Sequence, residues 1–144
     1  MTRISRSALV SHSARRMFDL VNDIPSYPQF MDGCVGAEVL QHGEGFVEAR
    51  LDLSRGGLQQ SFVTRNQLQA PQRVSMQLVE GPFKRFQGDW TFTPLRDNAC
   101  KVSLDLEFEF RNKLVALAAN RWFEQVANQM VDALCRRADV VYRD

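Results

Sequence analysis

Val102-Ser103-Leu104-Asp105-Leu106-Glu107-Phe108-Glu109-Phe110 decides the fold. Successive side chains of a β-strand point to opposite faces. Val102, Leu104, Leu106, Phe108 and Phe110 therefore share one face, and the other is wholly polar. From about Asn112 to Arg137 the apolar period lengthens to that of an α-helix. At roughly 100° per residue, Val115, Ala119, Trp122, Phe123, Val126, Met130, Ala133 and Leu134 fall within one arc, while Arg121, Gln125, Asn128, Asp132 and Arg136 lie outside it. Such a helix is roughly 40 Å long at about 1.5 Å per residue. It needs a broad apolar surface to lie on, and only a sheet built from the preceding strands offers one. A sheet that grips one long helix can enclose a pocket, which favours a carrier of an apolar ligand over an enzyme. The stripe mixes bulky Trp122, Phe123 and Met130 with small Ala119 and Ala133. That mixture fits either a cavity or an interlocked core.

Working back from this segment, residues 3–10 read as a strand with Ile4, Leu9 and Val10 as its apolar content. Ser13 suits the N-cap of a helix over about 14–22, whose stripe is Met17, Phe18 and Val21. Pro25 suits the first turn of a second short helix running to about Met31. Strands follow near 34–42, 46–54, 58–68, 72–79, 84–94 and 99–110. Gly43-Glu44-Gly45, Gly56-Gly57, Ala70-Pro71, Gly81-Pro82 and Arg96-Asp97-Asn98 punctuate them. Loops this short imply antiparallel hairpins. The order is strand, two short helices, six strands and one long helix, a single α+β domain over 1–144.

Composition narrows the function classes. The chain has 144 residues, 44% of them hydrophobic and 24% charged, as in an ordinary globular domain. Cys34, Cys100 and Cys135 form no CxxC pair, which argues against a zinc site or a redox dithiol and suits a reducing compartment. No apolar run approaches the ~20 residues of a membrane span, and Arg3 and Arg6 interrupt any signal-peptide core. The expected location is cytoplasmic, with transient contact at a membrane surface open. Lys84, Lys101 and Lys113 are the only lysines among 18 basic residues. Arg3, Arg6, Arg15 and Arg16 precede the first acid, Asp19. One reading is a generally arginine-rich composition; the other is a basic edge for phosphate or anionic lipid. Arg15 and Arg16 would face the positive end of the helix dipole, which is mildly unfavourable without an external anion.

Signals for catalysis are sparse. His12, at a strand-to-helix junction, and His42, at a hairpin turn, are expected to be exposed and lack motif partners. Gly43-x-Gly45 and Gly56-Gly57 lack a phosphate-loop lysine and read as turns. Asp105, Glu107 and Glu109 fall on a solvated strand face. No catalytic residue, metal ligand or cofactor is assigned. The apolar faces are more informative. Phe86, Gly88, Trp90 and Phe92 share one strand face, Val74, Met76 and Leu78 another, and Leu51 and Leu53 a third. Gly88 can make room or admit a neighbour's side chain. Phe62 shares its face with Thr64 and Asn66, which contact a ligand's polar head if that face points inward and reach solvent in the other register.

Several blocks resemble a known family. Val21-x-Asp23-Ile24-x-x-Tyr27-Pro28-x-Phe30-x-x-x-Cys34 resembles the signature after the first helix of the bacterial RatA and mitochondrial coenzyme Q-binding proteins. Phe62-x-Thr64-Arg65-Asn66, Gly81-Pro82-Phe83-Lys84 and Trp90-x-Phe92-x-Pro94 resemble later blocks, in the right order. That family sits in the START-like, helix-grip superfamily, also described as polyketide cyclase/dehydrase and lipid transport. The family's usual Phe-Leu-Pro-x-Cys is here Phe30-Met31-Asp32-Gly33-Cys34. Loss of that proline should loosen the loop after the second helix, a candidate pocket entrance. The resemblance implies a curved antiparallel sheet of about seven strands around the last helix, with a deep apolar cavity. It also implies two activities: ubiquinone binding in support of respiration, or action as a ribosome association toxin on the large ribosomal subunit that blocks subunit joining.

The expected function is non-enzymatic binding of ubiquinone or another isoprenoid lipid, with ribosome association as the alternative and polyketide cyclisation as a third. The expected cavity wall is Phe30, Phe62, Met76, Leu78, Phe86, Trp90, Phe92, Leu104, Leu106, Phe108, Trp122, Val126 and Met130, with Thr64 and Asn66 for a polar head. Arg3, Arg6, Arg15 and Arg16 are the expected contacts to ribosome or anionic surface.

Overall fold

The computed structural model describes residues 1–143. The elements follow the order expected: β1 (Thr2–Val10), α1 (Ala14–Asn22), a 3-10 helix (Ile24–Gln29), β2 (Cys34–Gly43), β3 (Phe46–Arg55), β4 (Leu58–Gln69), β5 (Arg73–Glu80), β6 (Phe83–Arg96), β7 (Ala99–Phe110) and α2 (Lys113–Val141). Ser13 caps α1 by accepting from the Arg16 N–H at 3.2 Å. The Asn112 side chain caps α2 by accepting from Leu114 and Val115. No helix among the described residues is long and apolar enough to cross a membrane.

All seven strands form one antiparallel, curved sheet in the order β1-β7-β6-β5-β4-β3-β2. Strands β2 to β7 are a simple meander, as their short turns require. β1 lies at one edge and β2 at the other. The chain between them must therefore cross the concave face, and α1 with the 3-10 helix makes that crossing. Together with α2 they cover the face that the alternating strands leave apolar. β7 shows the cause: Cys100, Val102, Leu104, Leu106, Phe108 and Phe110 are buried, with every intervening residue more exposed.

The core divides in two. One part gathers Phe62, Phe83, Phe86, Phe108, Phe110 and Phe123 around the first half of α2. The other packs α1 and the second half of α2 on Trp90, Phe92, Val102 and Leu104. α2 continues one turn beyond the expected Arg137. That turn corrects the reading of His12 as exposed: His12 is buried, with its Nε2 2.8 Å from Asp139 Oδ1 and its ring 5.8 Å from that of Tyr142. His42 is exposed as expected.

Candidate functional site

Where the two halves of the core meet, packing is incomplete. β2 to β7, the 3-10 helix and the middle of α2 enclose an apolar cavity. Phe62, Met76, Phe86, Trp90, Leu104, Leu106, Val126 and Met130 line it, as expected. The register explains the grouping on the sheet: Met76 pairs with Gly88, Gly88 with Leu106 and Trp90 with Leu104. At Gly88 the two readings resolve toward close approach. A Cβ there would lie 2.8 Å from Leu106 Cδ1 and 3.0 Å from Met76 Cε. Both side chains fold over the glycine and form the cavity floor.

Five expected wall residues lie elsewhere. Phe92 points under α1, where its ring meets Phe18 at 6.1 Å. Phe108 is filled over by Phe123, 4.6 Å away, which separates it from the cavity. Trp122 is buried in the same half of the core without bordering the free space, and its indole N–H has no partner among the described residues. Leu78 lines an outer groove with Lys84 and Arg85. Phe30 faces a second outer groove, with the Arg137 guanidinium 5.3 Å above its ring. Strand alternation places these residues inward but cannot say which of them another ring will cover.

The lining also includes residues the sequence reading did not select: Ile24, Tyr27, Met31, Cys34, Ala49, Leu51, Leu53, Phe123 and Ala127. A signal existed for some of them. Phe123, Ala127 and Met130 follow helical spacing on one face of α2, and Leu51 and Leu53 share a strand face. Tyr27 and Met31 come inward only because the 3-10 helix turns over the sheet.

Polar atoms are few. Thr64 and Asn66 face inward, 5% and 7% exposed, and the Thr64 hydroxyl donates to Asn66 Oδ1 at 3.0 Å. No described residue accepts from the Asn66 NH₂, and Asn66 is one of the residues lining the cavity. The Tyr27 hydroxyl donates to the Val21 carbonyl. Burial pushes its pKa up, and Cys34 and Asp23 add to that. The Cys34 thiol, bonded to the Gly36 carbonyl at 3.4 Å, is also pushed up, mainly by burial. The lining holds no carboxylate, imidazole or ammonium. The cavity is therefore uncharged near neutral pH and suits an uncharged ligand.

Its free volume is about 60 Å³. That is room for a few waters, against roughly 300–1,000 Å³ for a typical small-molecule site. The expected deep cavity is a small one in this conformation. Met31, Val126 and Met130 border both this cavity and an outer groove of about 380 Å³ between α2 and the 30–33 loop. These three side chains are the partition. The loop behind Met31 lacks the family's proline and turns at Gly33, whose φ is +89°.

The four N-terminal arginines are not a bare basic edge. Arg3 pairs with Glu107 at 2.9 Å, Arg6 with Asp132 at 3.2 Å and Arg15 with Asp19 at 3.3 Å. The Arg16 guanidinium lies 4.9 Å above the Tyr142 ring.

Comparison with known proteins agrees with this architecture. The family described as polyketide cyclase/dehydrase and lipid transport matches residues 10–135. Ribosome association toxin RatA of Escherichia coli is 49% identical over 142 residues, 99% of this chain and 90% of that protein. Coenzyme Q-binding protein COQ10 homolog B of Xenopus laevis is 26% identical over 96% of this chain and 58% of its own length. Among solved structures, the Zhui aromatase/cyclase from a Streptomyces species superposes with TM-score 0.85 at 16% identity, over 96% of this chain and 93% of that one. A START superfamily protein from Mycobacterium smegmatis gives TM-score 0.76 at 23% identity, over 96% and 98%. Identities this low bear on the fold alone. With a family match across nearly the whole domain and near-50% relatives end to end, the chain belongs to the polyketide cyclase/dehydrase and lipid transport family, in the START-like branch that holds RatA and the coenzyme Q-binding proteins.

Proposed function

We propose that this protein binds an isoprenoid quinone, or a similar neutral lipid, in the cavity and carries it unchanged. One observation carries the reading: an uncharged apolar cavity contains a single inward hydrogen-bonding pair, Thr64 and Asn66. A quinone carbonyl accepts from the Asn66 NH₂, and an isoprenoid tail gains about 0.8 kcal/mol per buried CH₂. Such a ligand exceeds the free space, so binding displaces Met31, Val126 and Met130 and joins the cavity to the outer groove. Methionine, unbranched and polarizable, adapts readily to such repacking. The relative named for coenzyme Q binding supports this reading.

A second reading is association with the ribosome. Its support is the 49% identity to a protein named ribosome association toxin. Contacts to the large subunit through Arg3, Arg6, Arg15 and Arg16 would exchange their present partners for phosphate and would weaken steeply with salt. Cyclisation of a polyketide would need a general acid or base. The cavity offers only Tyr27 and Cys34, both held neutral.

The test is to purify the protein from a quinone-producing host, extract it and identify bound lipid by mass spectrometry. Wild type should carry near-stoichiometric quinone, and a folded Leu106→Lys variant should carry none. Quinone retained by that variant would refute the cavity assignment. A lipid-free wild type that cosediments with large subunits in a salt-dependent way would replace the carrier reading with the ribosomal one.

A further inference from the structure

The first turns of α2 carry an apolar face that nothing in the fold covers. Leu114 and Leu117 are 76% and 85% exposed. They lie three residues apart and so on one side of the helix, with exposed Ala118 beside them. The opposite side, with Ala119, Trp122 and Phe123, is what the core uses. Single exposed leucines are ordinary. Here two share one helix side, and Leu117 lines a groove of about 540 Å³ with Phe108, Phe110 and Ala116.

Cations surround this face. Arg111, Lys113 and Arg121 flank the leucines, and Lys84 and Arg85 line the neighbouring groove, with Met1 bordering both. The Arg111 N–H donates to the Pro82 carbonyl at 2.8 Å, which fixes the β6 end beside the α2 start. All five cations are exposed, and none forms an ion pair among the described residues. Elsewhere on the sheet Arg3, Arg50, Arg65 and Arg73 each hold a carboxylate, whereas Arg55, Arg96 and Lys101 stand singly among the described residues; here five such cations gather beside the exposed leucines. Glu109 is the acid lining the groove, and Glu107, the acid of the neighbouring one, is paired with Arg3. Lys113 also occupies the first turn of α2, which contains no acid. A cation there opposes the helix dipole, a cost that an external anion offsets.

We propose that this face docks on an anionic bilayer. Leu114 and Leu117 enter the boundary between headgroups and acyl chains, while the five cations meet lipid phosphates. A nucleic acid would satisfy the cations and leave both leucines in water, so the combination points to lipid. The inference stands on this surface and does not require the cavity to be filled.

Flotation with phosphatidylcholine vesicles, with and without phosphatidylglycerol, tests it. Wild type should float with the anionic vesicles only, and less at high salt. Leu114→Gln/Leu117→Gln and Lys113→Gln/Arg121→Gln should each weaken partition by about tenfold or more. Both pairs are exposed, so neither should lower the melting temperature. Equal flotation of the leucine variant and wild type overturns the proposal, as does wild type that floats with neither vesicle. Without flotation, a dimer that the leucine variant dissolves assigns the face to a second copy instead. Large-subunit binding lost only in the cation variant, again without flotation, assigns the cations to RNA.

Discussion

Gly88 shows how one missing side chain shapes the site. Its strand partners, Met76 and Leu106, lie across it, and an added Cβ would also come within 3.1 Å of the Asp105 carbonyl oxygen, which cannot swing aside. In Gly88→Ala, Leu106 and Met76 must move into the cavity. The expected cost is about 1–3 kcal/mol in urea denaturation, together with loss of extractable lipid; a variant of unchanged stability would mean that the floor is pliable. The strand pattern singles out Gly88 but leaves its use open, because neighbours across a sheet are set by register. Thr64 and Asn66 pose the same question. Alternation puts them on the Phe62 face, and pairing of Ala49 with Thr64 and of Asn66 with Met76 turns that face inward.

At the scale of elements, α2 was legible from its period, and the strands from their turns. Each hairpin ends at a glycine, a proline or a short polar run, so local chemistry marks its limits. The far end of α2 was harder to place, because no glycine or proline stops it before Val141. Its extra turn delivers Asp139 to His12, a contact separated by 127 residues that no local pattern announces. The small residues of the stripe are points of close approach, and Ala119 is fully buried. Ala119→Leu should destabilise the protein by about 1–3 kcal/mol through overpacking, whereas Leu117→Ala should change stability by less than about 0.5 kcal/mol. Urea midpoints of the two variants measure the difference directly.

For the whole molecule, burial of several weak acids makes stability depend on alkaline pH. Cys34 and Cys100 are raised mainly by burial, and Cys135 is pushed from its ordinary 9.0 up to about 11, by burial first and then by Asp132 and Asp139. A folded pKa above the unfolded one favours the neutral form in the native state. The stabilisation is fully present below the unfolded value and is lost as pH rises through the folded one. The melting temperature should hold up to about pH 9 and fall between there and about pH 11, less steeply in Cys135→Ser. A flat profile over that range would contradict the burial of these thiols.

The order and type of the elements, the apolar face of each and the family blocks were all written in the chain. They rest on interactions between residues near one another in sequence: period, capping and turn chemistry. Which inward side chains border empty space was decided only by the tertiary structure. Phe92 and Phe108 alternate inward just as Trp90 and Leu106 do, yet Phe18 and Phe123 cover the first pair and leave the second bordering the cavity. The partners of Arg3 and Arg6 and the burial of His12 have the same origin. Arg3 meets Glu107 through the register of β1 on β7, and Arg6 and His12 meet Asp132 and Asp139 where α2 crosses the curved sheet; all three contacts join residues a hundred or more positions apart.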